Sequence, residues 1–218
     1  MGATLPDIPR LEFLERLERL GTPTLADAVG HERLYSHYEE LRRWNPTLSL
    51  VGPGTAAEIV ERHYGESLAA LPSLEGVKSL VDLGSGAGFP GFVLAACRPE
   101  VDVTLVEARG RKCAFLAAAA RRARLSIRCL NVRVSIPLPP SFPGSVDLYT
   151  SRALRLPENV LVALDERLTG RHRWIFWSTP SALERPRGAE VVQTIPLDRA
   201  TQRALFILEA RQPNQGSR

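Results

Sequence analysis

The stretch Val81-Asp82-Leu83-Gly84-Ser85-Gly86-Ala87-Gly88-Phe89-Pro90-Gly91 decides how the rest of the chain is read. A short apolar run, 79–83, enters a turn containing four glycines, and helical spacing resumes at 92–97. Glycine suits a strand-to-helix turn because the backbone must bend tightly and approach a ligand with no Cβ in the way. Gly86, Gly88 and Gly91 also satisfy the spacing G-x-G-x-x-G, a weak signal when taken alone.

Asp82 separates two readings of this loop. A dinucleotide would bring a pyrophosphate to the turn, where an aspartate repels it. S-adenosylmethionine carries an ammonium and a sulfonium instead, and a carboxylate at the strand tip suits that cation, directly or through water. The second reading is favoured, and a nicotinamide oxidoreductase is the weaker alternative. Glu107, at the end of the next apolar run, is placed to accept hydrogen bonds from both hydroxyls of a ribose. Both ligand classes share that role, so Glu107 indicates a nucleoside without choosing one.

Outward from the loop, strand and helix patterns alternate. Strands are predicted at 79–83, 101–107, 126–130, 146–150, 173–177, 190–195 and 204–208, with helices at 92–97, 111–124 and 157–168. Alternation with short connections implies an α/β fold, a doubly wound and mainly parallel sheet of the Rossmann-like kind. The last two strands have no helix-length segment between them, which predicts an antiparallel hairpin at the sheet edge. Before the loop the pattern is helical. Leu11, Leu14, Leu17 and Leu20 form a stripe ended by Gly21 and Pro23; a second run covers 32–44 and stops before Pro46; a third covers 56–71. The chain therefore divides into a helical cap (1–72), the main α/β domain (73–211) and a disordered tail (212–218).

Composition sets further bounds. The chain has 218 residues, 44% of them hydrophobic, with a net charge of +4. It has no apolar stretch long enough for a membrane helix and no basic-then-apolar start, so a cytoplasmic protein is expected. Cys97, Cys113 and Cys129 are odd in number and lack C-x-x-C spacing, which argues against disulfides and a metal site. Nearly all positive charge is arginine, the lysines being Lys78 and Lys112. From Ala108 to Val146 there is no acidic residue, while Arg109, Arg111, Lys112, Arg121, Arg122, Arg124, Arg128 and Arg133 fall there. A patch of one sign that long points to a polyanionic partner.

The acceptor is narrowed by what is missing. The Asn/Asp-Pro-Pro-aromatic run of adenine amino methyltransferases is replaced by Tyr149-Thr150-Ser151-Arg152-Ala153. A pyrimidine C5 enzyme needs a thiolate beyond the donor half, and no cysteine follows Cys129. A ring nitrogen such as guanine N7 carries a free lone pair and no proton, so it requires alignment and no general base.

These residues resemble the small-subunit ribosomal RNA guanine-N7 methyltransferase family, also called glucose-inhibited division protein B, over roughly 37–208. The most specific element is Asp82 to Gly91 with its trailing Phe89-Pro90-Gly91. Leu41-Arg42-Arg43-Trp44-Asn45, Arg62-His63-Tyr64-Gly65-Glu66-Ser67-Leu68, Arg111-Lys112-Cys113-Ala114-Phe115-Leu116 and Ser151-Arg152-Ala153 are similar to further family motifs. The resemblance implies a class I fold and S-adenosylmethionine as cofactor. To Asp82, Gly86, Gly88, Gly91 and Glu107, read from the residues themselves, it adds Gly84, Phe89, Val134, Ser135 and Arg152 as donor-pocket residues. It implies that Arg111, Lys112, Arg133 and Arg203 face RNA phosphate or the target base. Arg133 and Arg152 are the positioning candidates, with no dedicated catalytic residue and no metal. His63 is read as a structural histidine docking the N-terminal helices against the donor loop. The partner would be small-subunit (16S) ribosomal RNA or the ribosomal subunit, the protein acting as a monomer away from membranes. The chain departs from the family at Ser135, at Glu66 and at Trp177-Ser178-Thr179-Pro180. Those departures leave two alternatives: a catalytically weakened, donor-binding regulatory protein, or a methyltransferase with another acceptor.

Overall fold

The computed structural model describes residues 2–20, 27–166 and 173–210. Helix α1 (Arg10–Arg19) buries Phe13 and Leu17. Leu11 and Leu20, expected on the buried stripe, are exposed. The reason is aromatic: Phe13 stacks on Tyr38 at a ring separation of 5.1 Å and meets Tyr64 edge-on, and seating that ring turns Leu11 outward. The stop expected at Gly21 and Pro23 lies outside the described residues, as does the tail from 212.

Helix α2 (Ala28–Leu48) starts at Asp27, whose carboxylate accepts from the Gly30 N–H at 2.7 Å. It does not stop before Pro46 but runs through it. A proline in a helix interior removes a backbone hydrogen bond and costs about 3 kcal/mol. Asn45 offsets that loss: its buried side chain donates to the carbonyls of Ala3 (2.6 Å) and Val51 (3.1 Å) and accepts from the Val51 N–H at 2.7 Å. The single helix expected over 56–71 is instead a series of short turns. They are α3 (Pro53–Ala56), a wide π turn (Val60–Gly65), α4 (Glu66–Leu68) and a 3-10 turn (Leu71–Leu74). The π turn carries Arg62 and His63, and Glu66 follows it.

Seven strands form one sheet: β1 (Ser79–Leu83), β2 (Asp102–Val106), β3 (Arg128–Leu130), β4 (Leu148–Arg152), β5 (Arg173–Ser178), β6 (Ala189–Asp198) and β7 (Arg203–Ala210). Their spatial order is β3-β2-β1-β4-β5-β7-β6. The first five are parallel, and β7 runs antiparallel to both β5 and β6, which makes the expected edge hairpin. Helices α5 (Gly91–Cys97), α6 (Gly110–Arg122) and α7 (Glu158–Asp165) connect strands; the end expected for α7 at 168 lies outside the described residues.

Strand alternation assigns the two faces. Leu80 joins an apolar cluster with Phe92 and Phe115, and Phe13, Tyr38 and Tyr64 of the N-terminal helices belong to the same cluster. Val81 and Leu83 point the other way, into a cluster with Tyr149, Trp174 and Leu161. The chain turns to β2 on one side of β1 and later to β4 on the other. Between them, at the carboxyl ends of the strands, lies the crevice that such sheets use for ligands.

Candidate active site

That crevice holds a cavity of about 710 Å³, within the usual size of ligand sites. Its floor is the glycine loop. The Gly84 and Ser85 N–H groups donate to the Val106 carbonyl at 2.9 and 3.0 Å, so the loop is pinned to the neighbouring strand. Ser85 Oγ donates to the Asp82 carbonyl at 3.0 Å, and the Gly88 N–H to the Ser85 carbonyl at 2.7 Å. Two glycines are required by space. A Cβ on Gly91 would stand 2.5 Å from Leu105 Cδ2 and 2.6 Å from Asp82 Cβ. Gly88 has φ of +90°, and a Cβ there would stand 2.9 Å from Phe92 Cβ and 3.0 Å from His37 Nε2.

Glu107 is buried yet lines the cavity. Its Oε2 accepts from the Gly86 N–H at 3.0 Å and its Oε1 from the Arg109 N–H at 2.8 Å. Asn131 Nδ2 donates to the Glu107 carbonyl at 2.9 Å. The carboxylate is thus fixed in orientation, and each oxygen keeps a second acceptor direction for a ligand hydroxyl.

Asp82 is not among the cavity-lining residues. It points to the α5 side of β1, where Oδ1 accepts from Thr150 Oγ1 at 2.7 Å and Oδ2 from the Gly91 N–H at 3.3 Å. Burial pushes its carboxyl up from 3.8 to about 6, against hydrogen bonds from Thr150, Ser85 and Gly91 and the charge of Arg152. Its carboxylate lies beneath the loop, and its oxygens hold the loop against β4.

Of the other expected site residues, Gly84, Gly86, Phe89, Lys112, Arg133, Val134 and Arg152 line the cavity together. Gly88 and Gly91 shape the loop from outside it, and Ser135 and Arg111 are exposed and absent from its wall. Arg203 does not face open solvent as an RNA contact would. It is ion-paired to Glu66, which also binds Arg152 at 2.8 Å. The basic stretch divides as well. Arg109, Arg111 and Lys112 lie in or just before the first turn of α6, on the cavity side, with Arg109 and Lys112 in its wall. Arg121, Arg124 and Arg128 fall at the opposite end of that helix and at the start of β3, and Arg122 is paired to Glu39 at 2.5 Å.

His63 lines the cavity and packs on Phe89 at 5.0 Å between ring centres, but its Nε2 bonds to Thr55 Oγ1 at 2.9 Å. The hydrogen bond that docks the helices on the loop comes from His37. Its Nε2 donates to the Ala87 carbonyl at 2.9 Å, so Nδ1 accepts from the Tyr64 hydroxyl at 2.7 Å. Burial lowers both histidines from 6.5 to about 3, aided at His63 by the charges of Arg152, Arg62 and Arg203. His37 is a residue the sequence reading missed, and Glu66 was noted there only as a departure from the family motif, with no part in the site. Both stand inside helical stretches, where periodicity identifies a face but not a polar partner.

The strand order, the glycine cradle at its switch point and the anchored acidic residue just past the next strand define a class I methyltransferase fold. Two solved structures share it. An O-methyltransferase of Brevibacillus brevis, in complex with S-adenosyl-L-homocysteine, is 11% identical with a TM-score of 0.54, covering 80% of this chain and 79% of that one. A 16S rRNA N2 methyltransferase of T. thermophilus, in complex with AdoMet and guanosine, is 22% identical with a TM-score of 0.50, covering 67% and 43%. At these identities the likeness concerns the fold alone.

More narrowly, the chain belongs to the family described as rRNA small subunit methyltransferase G, whose profile matches residues 30–184. It is 45% identical over 91 residues to a ribosomal RNA small subunit methyltransferase G of Desulfotalea psychrophila, covering 41% of this chain and 42% of that protein. With the protein of that name from Methylobacterium radiotolerans it shares 40% over 139 residues, covering 63% and 64%. The chain thus spans 42% to 64% of the length of these curated relatives.

Proposed function

We propose that the chain transfers a methyl group from S-adenosylmethionine to N7 of a guanine in small-subunit ribosomal RNA, as a cytoplasmic protein. The observation that carries this reading is the pair of carboxylates at the glycine loop: Glu107, held between the Gly86 and Arg109 N–H groups in the cavity wall, and Asp82, buried beneath the loop. An acidic acceptor beside bare glycine backbone suits a ribose, and the carboxylate beneath the loop favours a cationic ligand over a diphosphate. When bound, the cofactor supplies an electrophilic methyl group on a sulfonium. Gly84, Gly86, Phe89, Glu107 and Val134 would hold it.

What the protein adds is alignment and exclusion of water. Guanine N7 has no proton to lose, and the histidine in the cavity wall suits such a reaction. With its pKa near 3, His63 is neutral and a very weak base at neutral pH. Arg109, Lys112 and Arg133 stand around the mouth, where they can hold phosphates on either side of the target. The test is the N7-methylguanosine content of 16S ribosomal RNA from cells lacking the gene. Loss of one methylated guanine, restored by the gene, is expected; unchanged methylation would falsify the reading.

A further inference from the structure

Glu66 occupies the seam between the π turn, β4 and β7. Its Oε2 accepts from Arg152 Nη2 at 2.8 Å, and its Oε1 accepts from Arg203 Nη2. The same Arg152 nitrogen donates to the Arg62 carbonyl at 2.7 Å. Trp177 Nε1 donates to the Glu66 carbonyl at 2.9 Å, so the backbone of the bridging residue is held as well. A carboxylate buried between two guanidinium groups is there at a cost in solvation, and removing it would leave like charges facing each other.

Arg152 has one group left over. It lines the cavity, yet its Nη1 is buried with no hydrogen-bond partner among the described residues. A guanidinium is planar, so two acceptors on Nη2 also fix the direction of Nη1. A buried donor with no acceptor is unfavourable, and an oxygen on a molecule in the cavity relieves it. Guanine carries such an oxygen: O6 stands beside N7 on the same edge, where adenine presents an amino donor.

We propose that Glu66 is a positioning residue, clamping Arg152 between itself and the Arg62 carbonyl so that Nη1 meets O6 of the acceptor guanine and sets N7 in line for methylation. The inference rests on the methyl-transfer reading above and names the pair that selects the base. Arg203 is the counterweight: by occupying Oε1 it keeps the carboxylate from rotating away from Arg152. Glu66→Gln keeps the shape but turns an amide NH2 toward one arginine, which breaks the bridge. Glu66→Asp keeps the charge on a shorter arm.

The experiment measures single-turnover methyl transfer to small-subunit ribosomal RNA, S-adenosylhomocysteine binding by calorimetry, and the Arg152 guanidinium NMR signals. E66Q is expected to slow transfer about 100-fold, the penalty for a misplaced reactant, with cofactor affinity changed less than about threefold. E66D should restore at least about tenfold of that rate, and E66Q should add nothing to R152K, because both act through one group. RNA transcribed with 6-thioguanosine, whose sulfur is a poor acceptor, should slow the wild type about tenfold and E66Q less than about twofold. The inference is overturned if E66Q transfers at the wild-type rate, if rate and cofactor affinity fall together, or if the E66Q and R152K effects multiply. If the wild type methylates no ribosomal RNA, the functional reading fails by itself. The clamp is then judged by the spectrum: slow guanidinium rotation in the wild type and fast rotation in E66Q support it, and fast rotation in both refutes it.

Discussion

The two walls of the cavity are built on opposite principles. On the donor wall nearly every polar group is answered from within the protein: Glu107 by two backbone N–H groups, Asp82 by Thr150 and Gly91, Ala87 by His37. On the acceptor wall cations are in surplus. Arg152, in the cavity wall, shares the buried carboxylate of Glu66 with Arg203, which lies outside that wall, and one Arg152 nitrogen has no acceptor. Arg109 and Arg133 add exposed charge at the rim. A wall that is already satisfied can present only shape and a few fixed acceptors, which suits one invariant small ligand. A wall with unmet donors takes its last partners from whatever binds.

The contrast is sharpest at Gly91. Alanine there must displace Leu105 and the Asp82 carboxyl at once, an overpacking worth about 1–3 kcal/mol. G91A should therefore lose S-adenosylhomocysteine binding beyond detection by calorimetry and unfold at clearly lower urea. An alanine that bound the ligand normally would show that the donor wall is softer than its packing implies.

Next in size is the seam held by His37. H37A removes a ring buried against Phe92 and leaves the Ala87 carbonyl and the Tyr64 hydroxyl unanswered; about 3 kcal/mol is expected. The pH dependence has a definite sign. His37 and His63 are held neutral, with folded values near 3 against 6.5 unfolded. Their contribution is present above pH 6.5 and is lost as pH falls below it, because the unfolded chain takes up the protons. Urea midpoints should fall on acidification from pH 7 to 5, and the slope should be reduced in H37A.

Asp82 carries the opposite sign. Its folded value near 6 exceeds the ordinary 3.8, so the protonated form is stabilised and the benefit disappears as pH rises through about 6. The displacement corresponds to about 3 kcal/mol against the charge at neutral pH. D82N can keep both contacts if the Thr150 hydroxyl turns to accept. It should therefore be more stable than the wild type at pH 8 without ligand, with the gap closing toward pH 4. If the buried charge serves the sulfonium, D82N should weaken S-adenosylmethionine more than S-adenosylhomocysteine, which lacks that charge. Equal losses for both ligands would reduce Asp82 to a loop brace.

How much of this was legible in the sequence follows from the kind of signal each feature leaves. All seven strands and the edge hairpin could be read because apolar runs and glycine turns are local. Helix α2 passing through Pro46 was not, since its compensation is a buried Asn45 reaching Ala3 and Val51. The placing of Leu11 on the apolar stripe failed because period alone cannot tell which of two nearby apolar residues, Leu11 or Phe13, meets the aromatic cluster. Within the site, Glu107 and the glycines stood out because chemistry and position coincide in one segment. The Glu66 bridge joins residues 86 and 137 positions apart, and no local pattern encodes such a distance. Asp82 was found for its charge, while its burial beneath the loop became visible only in three dimensions.

The smallest effects belong to the rim, and they divide the two walls most cleanly. Arg133 and Lys112 line the cavity mouth but take part in none of the ion pairs seen among the described residues. Solvated charges of this kind add little to stability and much to the attraction of a polyanion. R133A should leave the urea midpoint and S-adenosylhomocysteine affinity within error. It should lower the slope of log affinity for ribosomal RNA against log salt by about one, the signature of one phosphate contact. The same substitution at Arg121, on the far end of α6, should leave that slope unchanged if RNA meets the protein at the cavity mouth alone. An equal drop at Arg121 would extend the RNA footprint along the whole helix, and the surplus of cations would then belong to a face of the protein instead of one wall of its cavity.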